Sequence, residues 1–402
     1  MTVGEQVATT LRPRNLAEAR DALRDSTGTL LFRGAGTKRD WGARGEPIEA
    51  VVDTRRLDRL VEHSPGDMTA VVQAGLPLAR LQAELAASGQ RLALDPPGVA
   101  EGATVGGLFA ANDAGPIRHR FGTLRDLAIG ATLVLADGTV AQSGGRVVKN
   151  VAGFDLVRLL CGSLGTLALV TELVLRLHPL PETTSTVRLP AGPGASTRLA
   201  LALLAAPIVP AAVEHADGSL FVRLEGRPAG VAAQIDALRR LAASTEGEAL
   251  AAGAETLDGR EEQAAWEAIT AGHAGKPGET VARAATLPNR LADVADALSR
   301  AAAGVEVEAV LSSHAGVGLH TARLRGGDAA AHAAVVRDWR RAVAAMGGSV
   351  VLRRRLERVG ELVDPWYDPD GPAPSSLAVM RRVKEQIDPE RRCAPGRFVG
   401  GI

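Results

Sequence analysis

Cysteine is nearly missing from this 402-residue sequence, which holds only Cys161 and Cys393. Two thiols exclude a disulfide framework, and they exclude a four-cysteine zinc or iron–sulfur site within the chain. An iron–sulfur cluster, if the chemistry needs one, must come from another polypeptide. Charge of one sign is also missing: 46 Lys+Arg balance 46 Asp+Glu, so nothing points to nucleic acid or an anionic membrane surface. No run reaches the roughly 20 apolar residues needed to span a bilayer, and the start, MTVGEQVATTLRPRN, has no apolar segment after a basic one. The reading is a cytoplasmic chain that meets a small molecule or another protein. Tyrosine occurs once, at Tyr367, and lysine four times, at Lys38, Lys149, Lys276 and Lys384. The length suggests two or three domains at about 150 residues each.

Glycine, by contrast, is abundant. From Gly144 to Pro179 the chain reads GGRVVKNVAGFDLVRLLCGSLGTLALVTELVLRLHP, glycine-rich backbone running into the apolar stretches 167–170 and 173–177. Main chain that must approach a phosphorylated cofactor and return to a core strand has this pattern. Upstream, strands are predicted at Leu30–Arg33, Ala50–Asp53, Ala70–Ala74 and Ala131–Ala136, the last turning at Asp137-Gly138 into Thr139–Gln142. Pro77–Ser88 reads as a helix with Leu78, Leu81 and Leu85 on one face and Gly89 ending it. The first region is therefore mixed α and β.

Prolines at 179 and 181 break the pattern, and the proline- and glycine-bearing stretch Leu189–Gly194 reads as a linker. Beyond it, strands are expected at Ala211–Glu214, Leu220–Leu224, Thr280–Ala285, Val305–Ser312, Gly318–Leu324 and Ser349–Leu352. Helices are expected at Ala229–Ala243, Ala292–Ala302 and Ala329–Met346. Strand pairs alternating with helices predict an antiparallel sheet backed by helices. The tail, 372–402, holds one helix, Leu377–Gln386. The fold class is α+β.

Two nucleotide motifs fail on their own chemistry. Gly34-Ala35-Gly36-Thr37-Lys38-Arg39 has Arg39 where a dinucleotide fingerprint needs its third glycine, and Gly275-Lys276 is followed by Pro277 instead of a magnesium-binding hydroxyl. What remains is a series of turns: Arg33 to Lys38, Gly102 to Gly107, Gly115 to Arg118, and Gly162 to Thr166. Successive amides in such turns form concavities for anions, each hydrogen bond to a charged acceptor contributing about 1.5–3 kcal/mol.

As an ordered set these turns resemble a known family. RGAGTK after a strand, DPPG at 95–98, GATVGG at 102–107, RFGTLRD at 120–126, KNVAGFDL at 149–156 and GSLGTLALVTE at 162–172 are together similar to the flavin domain of FAD-linked oxidases of the vanillyl-alcohol oxidase and p-cresol methylhydroxylase (PCMH) type. Ile387-Asp388-Pro389 with Ala394-Pro395-Gly396-Arg397 resembles that family's closing motif. Within the family the likeness runs to the smaller FAD-binding subunits of bacterial glycolate oxidases and to D-lactate dehydrogenases. The resemblance implies a split PCMH-type FAD-binding domain, residues 1–185, an inserted cap domain, 186–355, for substrate or subunit contact, and a C-terminal segment, 356–402, that returns to the FAD domain.

Carried over by position, Arg33, Gly34, Ala35, Gly36, Thr37 and Lys38 would cradle the pyrophosphate, and Thr104, Val105, Gly106 and Gly107 would meet phosphate or ribityl. Gly115, Pro116, Ile117 and Arg118 would lie near the isoalloxazine, and Gly162, Ser163, Gly165, Thr166 and Val170 on the adenosine side. Lys149 and Gly153 belong to the KNVAGFDL motif, and a compact ammonium at Lys38 or Lys149 suits a phosphate. Members that bind flavin covalently carry histidine where this chain has Thr37, so dissociable, non-covalent FAD is expected. Cys161 ends an apolar helical run and reads as a core residue.

Catalytic flavin subunits of this group carry H-x-G-D-G-N-x-H in the cap, whose histidines and acid help bind metal and a 2-hydroxy acid. Here the run is His314-Ala315-Gly316-Val317-Gly318-Leu319-His320, with valine for the acid, leucine for the amide and the second histidine one residue early. A one-residue slip in a strand sends a side chain to the opposite face, so a metal centre is not expected. His314, and Arg354 within Arg353-Arg354-Arg355 as a carboxylate partner, are the remaining catalytic candidates. The resemblance implies hydride transfer from a 2-hydroxy acid to FAD, beside a second flavin subunit and an iron–sulfur subunit. A self-sufficient dehydrogenase of another alcohol or hydroxy acid, or a non-catalytic flavin-holding assembly subunit, are the alternatives.

Overall fold

The computed structural model describes residues 9–145, 154–371 and 374–402. The chain divides into two compact units: Met1–Ala114 with Gly122–Leu180 and Ala373–Ile402, and Gly115–Phe121 with Pro181–Pro372. The division falls at Leu180/Pro181, five residues ahead of the sequence-based boundary. Thr183–Leu189 is already a strand of the second unit, and Leu189–Gly194 is no linker but the end of that strand and the start of helix Pro193–Ala205.

In the first unit, Thr9–Leu11, Ala50–Asp53 and Leu30–Arg33 form a parallel sheet with Ala50–Asp53 at its centre. Helix Leu16–Asp25 is capped by the Asn15 side chain, which accepts from the Glu18 amide, and lays Ala19 and Leu23 on that sheet. A second, antiparallel sheet runs in the order Leu60–Ser64, Thr69–Gln73, Leu169–Arg176, Ala128–Val134, Val140–Gly144. Helix Leu78–Ala86 buries Leu78, Leu81 and Leu85 against it. The hairpin at Asp137-Gly138 is present, but only Gly138 takes a positive φ (85°); Asp137 instead accepts from the amide and hydroxyl of Thr139. The GATVGG stretch is not a simple turn: Thr104 caps helix Val105–Ala111 through the Gly107 amide.

The tail joins this first unit through buried polar contacts. Leu30 donates to the Arg392 carbonyl and accepts from Ala394, both at 2.7 Å. The Arg392 guanidinium spreads over the carbonyls of Gly28, Ala136, Leu23 and Ser26. Lys384, 4% exposed, donates to the carbonyls of Thr166 (2.6 Å) and Cys393 (2.9 Å) and pairs with Asp388 (2.6 Å).

The second unit is built on an eight-stranded antiparallel sheet, in the order Glu255–Leu257, Thr183–Leu189, Ser219–Gly226, Ala212–Ala216, Glu308–His314, Leu319–Arg325, Thr280–Ala285, Ser349–Arg354. The turn Asp217-Gly218 has φ of 47° and 69°, the two positive values a type I′ hairpin requires. One face carries Val187, Leu220, Val222, Leu224, Ala282 and Leu352, packed under helices that include Leu203, Leu238, Val294 and Trp339. The other face is polar. Helix Gly259–Ala274, which the sequence pattern does not reveal, is tied to it by Trp266 donating to Thr186 (2.8 Å) and by Glu262 accepting from Thr184 and Thr186. The chain through Gly371 stays with this unit: Arg340 donates to the carbonyls of Asp364 and Tyr367, so the segment from 356 is not wholly a return to the first unit. Among the described residues no helix is long and apolar enough to cross a membrane.

Candidate cofactor site

Three of the predicted turns come together in the first unit. Strand Leu30–Arg33 ends in Gly34 to Lys38, where Gly36 takes φ 79°. The Cβ of any other residue at Gly34 would collide with the Thr104 hydroxyl, the helix cap. A Cβ at Gly106 would stand 2.6 Å from that of Ala74 and 2.7 Å from the Ala74 carbonyl, which accepts from the Gly106 amide at 2.7 Å. The third wall is Gly162 to Thr166, where Gly162, Leu164 and Gly165 all have positive φ (85°, 55° and 76°). The amides of Gly162 and Leu164 are spent on the carbonyls of Phe109 and Ala110, and the Thr166 hydroxyl on that of Ser163.

Between these walls lies a cleft of about 850 Å³, part of it open to solvent. Of the residues predicted to bind, Arg33, Gly34, Ala35, Gly36, Thr37, Lys38, Thr104, Gly106, Gly107, Ser163, Gly165 and Val170 line it. Val105 faces the core instead, and Gly162 and Thr166 flank the lining. Gly115, Pro116, Ile117 and Arg118 belong to the second unit; Lys149 and Gly153 lie outside the described residues. Sequence reasoning missed Arg39, Thr54, Ala74, Phe109 and Arg397. Arg397 had a signal, the Pro-Gly-Arg end of the closing motif.

The lining fits an anionic dinucleotide. Arg33, Lys38, Arg39 and Arg397 are its basic members, and no acidic residue contributes among the described residues. Lys38 is partly committed, since its ammonium pairs with buried Asp113 at 2.7 Å and donates to the Pro97 carbonyl at 3.0 Å. Arg397 donates to the Trp41 and Lys38 carbonyls. Phe109, Leu164, Ala168 and Val170 supply the apolar surface that aromatic rings need. No histidine, cysteine or tyrosine lines the cleft among the described residues, and burial pushes the Cys161 thiol up to about 12, far from a nucleophilic thiolate.

The second unit holds a separate polar cluster. Glu214, opposite His314 in the ladder, accepts at one oxygen from His314 Nδ1 (2.6 Å) and at the other from His273 Nε2 (2.9 Å). The other ring nitrogen of His273 meets the Thr321 hydroxyl at 2.9 Å. All three residues are buried. Burial, reinforced by Arg118 and Arg283, holds both histidines neutral, far below their usual range. Three such donors invite a metal reading, but the imidazoles are stacked 4.0 Å apart at 18°. Glu214 joins the two rings through hydrogen bonds. His320 lies on the opposite face, paired with Ser313 (2.8 Å) and Thr286 (2.9 Å). Arg354 is half-buried at the end of its strand, beyond a register shift.

A family model described as an FAD binding domain matches residues 7–144. Glycolate oxidase subunit GlcE of Escherichia coli (strain K12) is 32% identical over 223 residues, 54% of this chain and 61% of that protein. Glycolate oxidase subunit GlcD of Bacillus subtilis (strain 168) is 32% identical over 49% of this chain and 42% of its own length. A D-lactate dehydrogenase of Archaeoglobus fulgidus is 34% identical over 42% of this chain and 38% of its own length. The chain thus matches less than two thirds of each of these relatives. Among solved structures, alkyldihydroxyacetonephosphate synthase covers 96% of this chain and 75% of its own with a TM-score of 0.70 at 16% identity, a likeness of fold. With the glycine turns, the basic cleft and the domain match in agreement, this chain carries an FAD-binding domain similar to that of PCMH-type FAD-linked oxidases, and its cofactor is FAD.

Proposed function

We propose that this chain is the FAD-binding subunit of an oxidoreductase that takes a hydride from a 2-hydroxy acid such as glycolate or D-lactate and passes the electrons to an iron–sulfur partner. The observation that carries the reading is the cleft of the first unit, basic and glycine-walled, in a chain whose relatives include glycolate oxidase subunits and a D-lactate dehydrogenase. When bound, FAD supplies the two-electron acceptor. The amides of Gly34 to Lys38, with Arg33, Arg39 and Arg397, would hold the diphosphate, and Phe109, Leu164 and Val170 would exclude water from ring surface. Two cysteines cannot supply a four-cysteine cluster, so an iron–sulfur centre serving this flavin would sit on a partner chain.

The test is to purify the protein with whatever subunits accompany it, record its flavin spectrum, and add glycolate or D-lactate without oxygen. Bleaching that needs the accompanying subunits supports the proposal. Bleaching by the chain alone would make it a self-sufficient dehydrogenase, and flavin that no 2-hydroxy acid bleaches would leave an assembly subunit.

A further inference from the structure

Lys38 lines the cleft, and its place in the sequence makes it a ligand of the diphosphate. Its surroundings give it other work. An ammonium has three N–H bonds to place. Nζ meets the Asp113 carboxylate at 2.7 Å and the Pro97 carbonyl at 3.0 Å, and it stands over the Trp41 ring, 5.4 Å from the centroid, within cation–π range. Asp113 is the more demanding member of the pair. It is 0% exposed and neither of its oxygens has a hydrogen-bond partner, so among the described residues the Lys38 ammonium is its single counter-ion. Moving that ammonium onto a phosphate would strip a buried carboxylate of its compensation, a loss of more than about 100-fold. One charge-assisted contact returns only roughly 10- to 100-fold.

The pair also stands where it shapes the cleft. Asp113 follows helix Val105–Ala111, which is closed by Asn112 at φ 46° and by the Asp113 amide on the Leu108 carbonyl. At its other end the same helix presents Thr104, whose hydroxyl occupies the space beside Gly34. One helix thus grips the loop Gly34 to Lys38 at both ends. At Lys38 the turn Asp95-Pro96-Pro97-Gly98 adds a carbonyl, and Arg397 donates to the Lys38 carbonyl at 3.0 Å. We propose that Lys38 is a positioning residue: it neutralises Asp113 and, through Asp113 and Pro97, fixes the Gly34–Lys38 loop in the shape whose amides take the diphosphate, with no phosphate contact of its own. The cationic side chains left for the diphosphate are those of arginine. This goes beyond the reaction proposed above and does not depend on its substrate, only on FAD as cofactor.

The test compares Lys38→Met with Lys38→Met/Asp113→Asn, measuring FAD binding to the full-chain apoprotein by calorimetry. Lys38→Met leaves a bare carboxylate beside the diphosphate and should weaken FAD at least about 10-fold. The double variant carries neither charge and should bind within about 3-fold of wild type, and the phosphorus NMR spectrum of its bound FAD should match that of wild type, since no phosphate contact was lost. A merely structural loss of Lys38 would not be rescued by the second substitution, and a lost phosphate ligand would leave the double variant about 10-fold or more weaker with a moved phosphorus resonance. Either result overturns the proposal, as does a Lys38→Met protein that binds FAD like wild type. If Lys38→Met does not fold, folding regained in the double variant is the expected rescue, and a double variant that also fails to fold counts against it. The wild-type holoprotein gives an independent readout. Its crystal structure should keep Nζ on Asp113 and Pro97, whereas Nζ within about 3.2 Å of a phosphate oxygen overturns the assignment.

Discussion

The sharpest stability prediction concerns Lys384. Its ammonium is 4% exposed and has three acceptors: the Thr166 and Cys393 carbonyls and Asp388, at 2.6, 2.9 and 2.6 Å. Lys384→Met removes three charge-assisted bonds and leaves Asp388, 0% exposed, without its cation and held by the Arg392 and Cys393 amides. Breaking a buried pair on one side costs about 3–5 kcal/mol, because the surviving charge stays desolvated. Removing both charges restores part of that, so Lys384→Met/Asp388→Asn should be less destabilised than Lys384→Met by about 1–3 kcal/mol. Thr166 closes a wall of the cleft, so FAD should be lost early in the same transition. Urea unfolding followed by circular dichroism and by the fluorescence of released flavin measures both. A Lys384→Met protein within about 1 kcal/mol of wild type, or a double variant no better than the single, would refute the assignment of Lys384 as the tie between tail and cleft.

Gly106→Val drives its Cβ into Ala74 backbone, at 2.7 Å from the carbonyl oxygen, and should abolish flavin retention on desalting while the second unit keeps its own unfolding transition. Gly165→Val meets nothing nearer than Phe32 at 3.4 Å; its cost is the positive φ, about 1–2 kcal/mol, so it should weaken FAD binding less than Gly106→Val. Acid denaturation of this protein should show FAD separating from the polypeptide on gel filtration, since Thr37 stands at the family's covalent position and no histidine, cysteine or tyrosine lines the cleft among the described residues. The second unit should be acid-labile: burial lowers His215 and His320 from 6.5 to about 4. The unfolded chain therefore binds more protons between these values, and stability, constant above pH 6.5, should fall as pH drops towards 4 by about 3 kcal/mol per histidine. A denaturation midpoint unchanged between pH 7 and 4.5 would contradict it.

Local chemistry made much of the fold legible. Strands Leu30–Arg33, Ala50–Asp53 and Thr280–Ala285 lie where apolar runs bounded by turn residues put them. Helix Leu78–Ala86 follows its leucine spacing, and Asp217-Gly218 its turn type. The glycine turns of the cleft were readable because only a few backbone conformations suit them and glycine is required where a Cβ would strike Thr104 or Ala74. The helix Gly259–Ala274 was not, because its buried face rests on Glu262 and His273 as well as Trp266 and Ile269, so it shows little apolar periodicity. Thr54, Ala74 and Arg397 reach the cleft only through chain return. Gly115 to Arg118 show the limit of position: next to flavin motifs in sequence, they fold with the second unit. Glu214, His273 and His314 are separated by 59 and 41 residues along the chain. Sequence alone determined that a flavin domain with an eroded cap motif was present, because motif spacing is a property of the chain. That Glu214, His273 and His314 meet in one buried hydrogen-bonded cluster was decided by sheet register and by one helix, which only tertiary structure specifies.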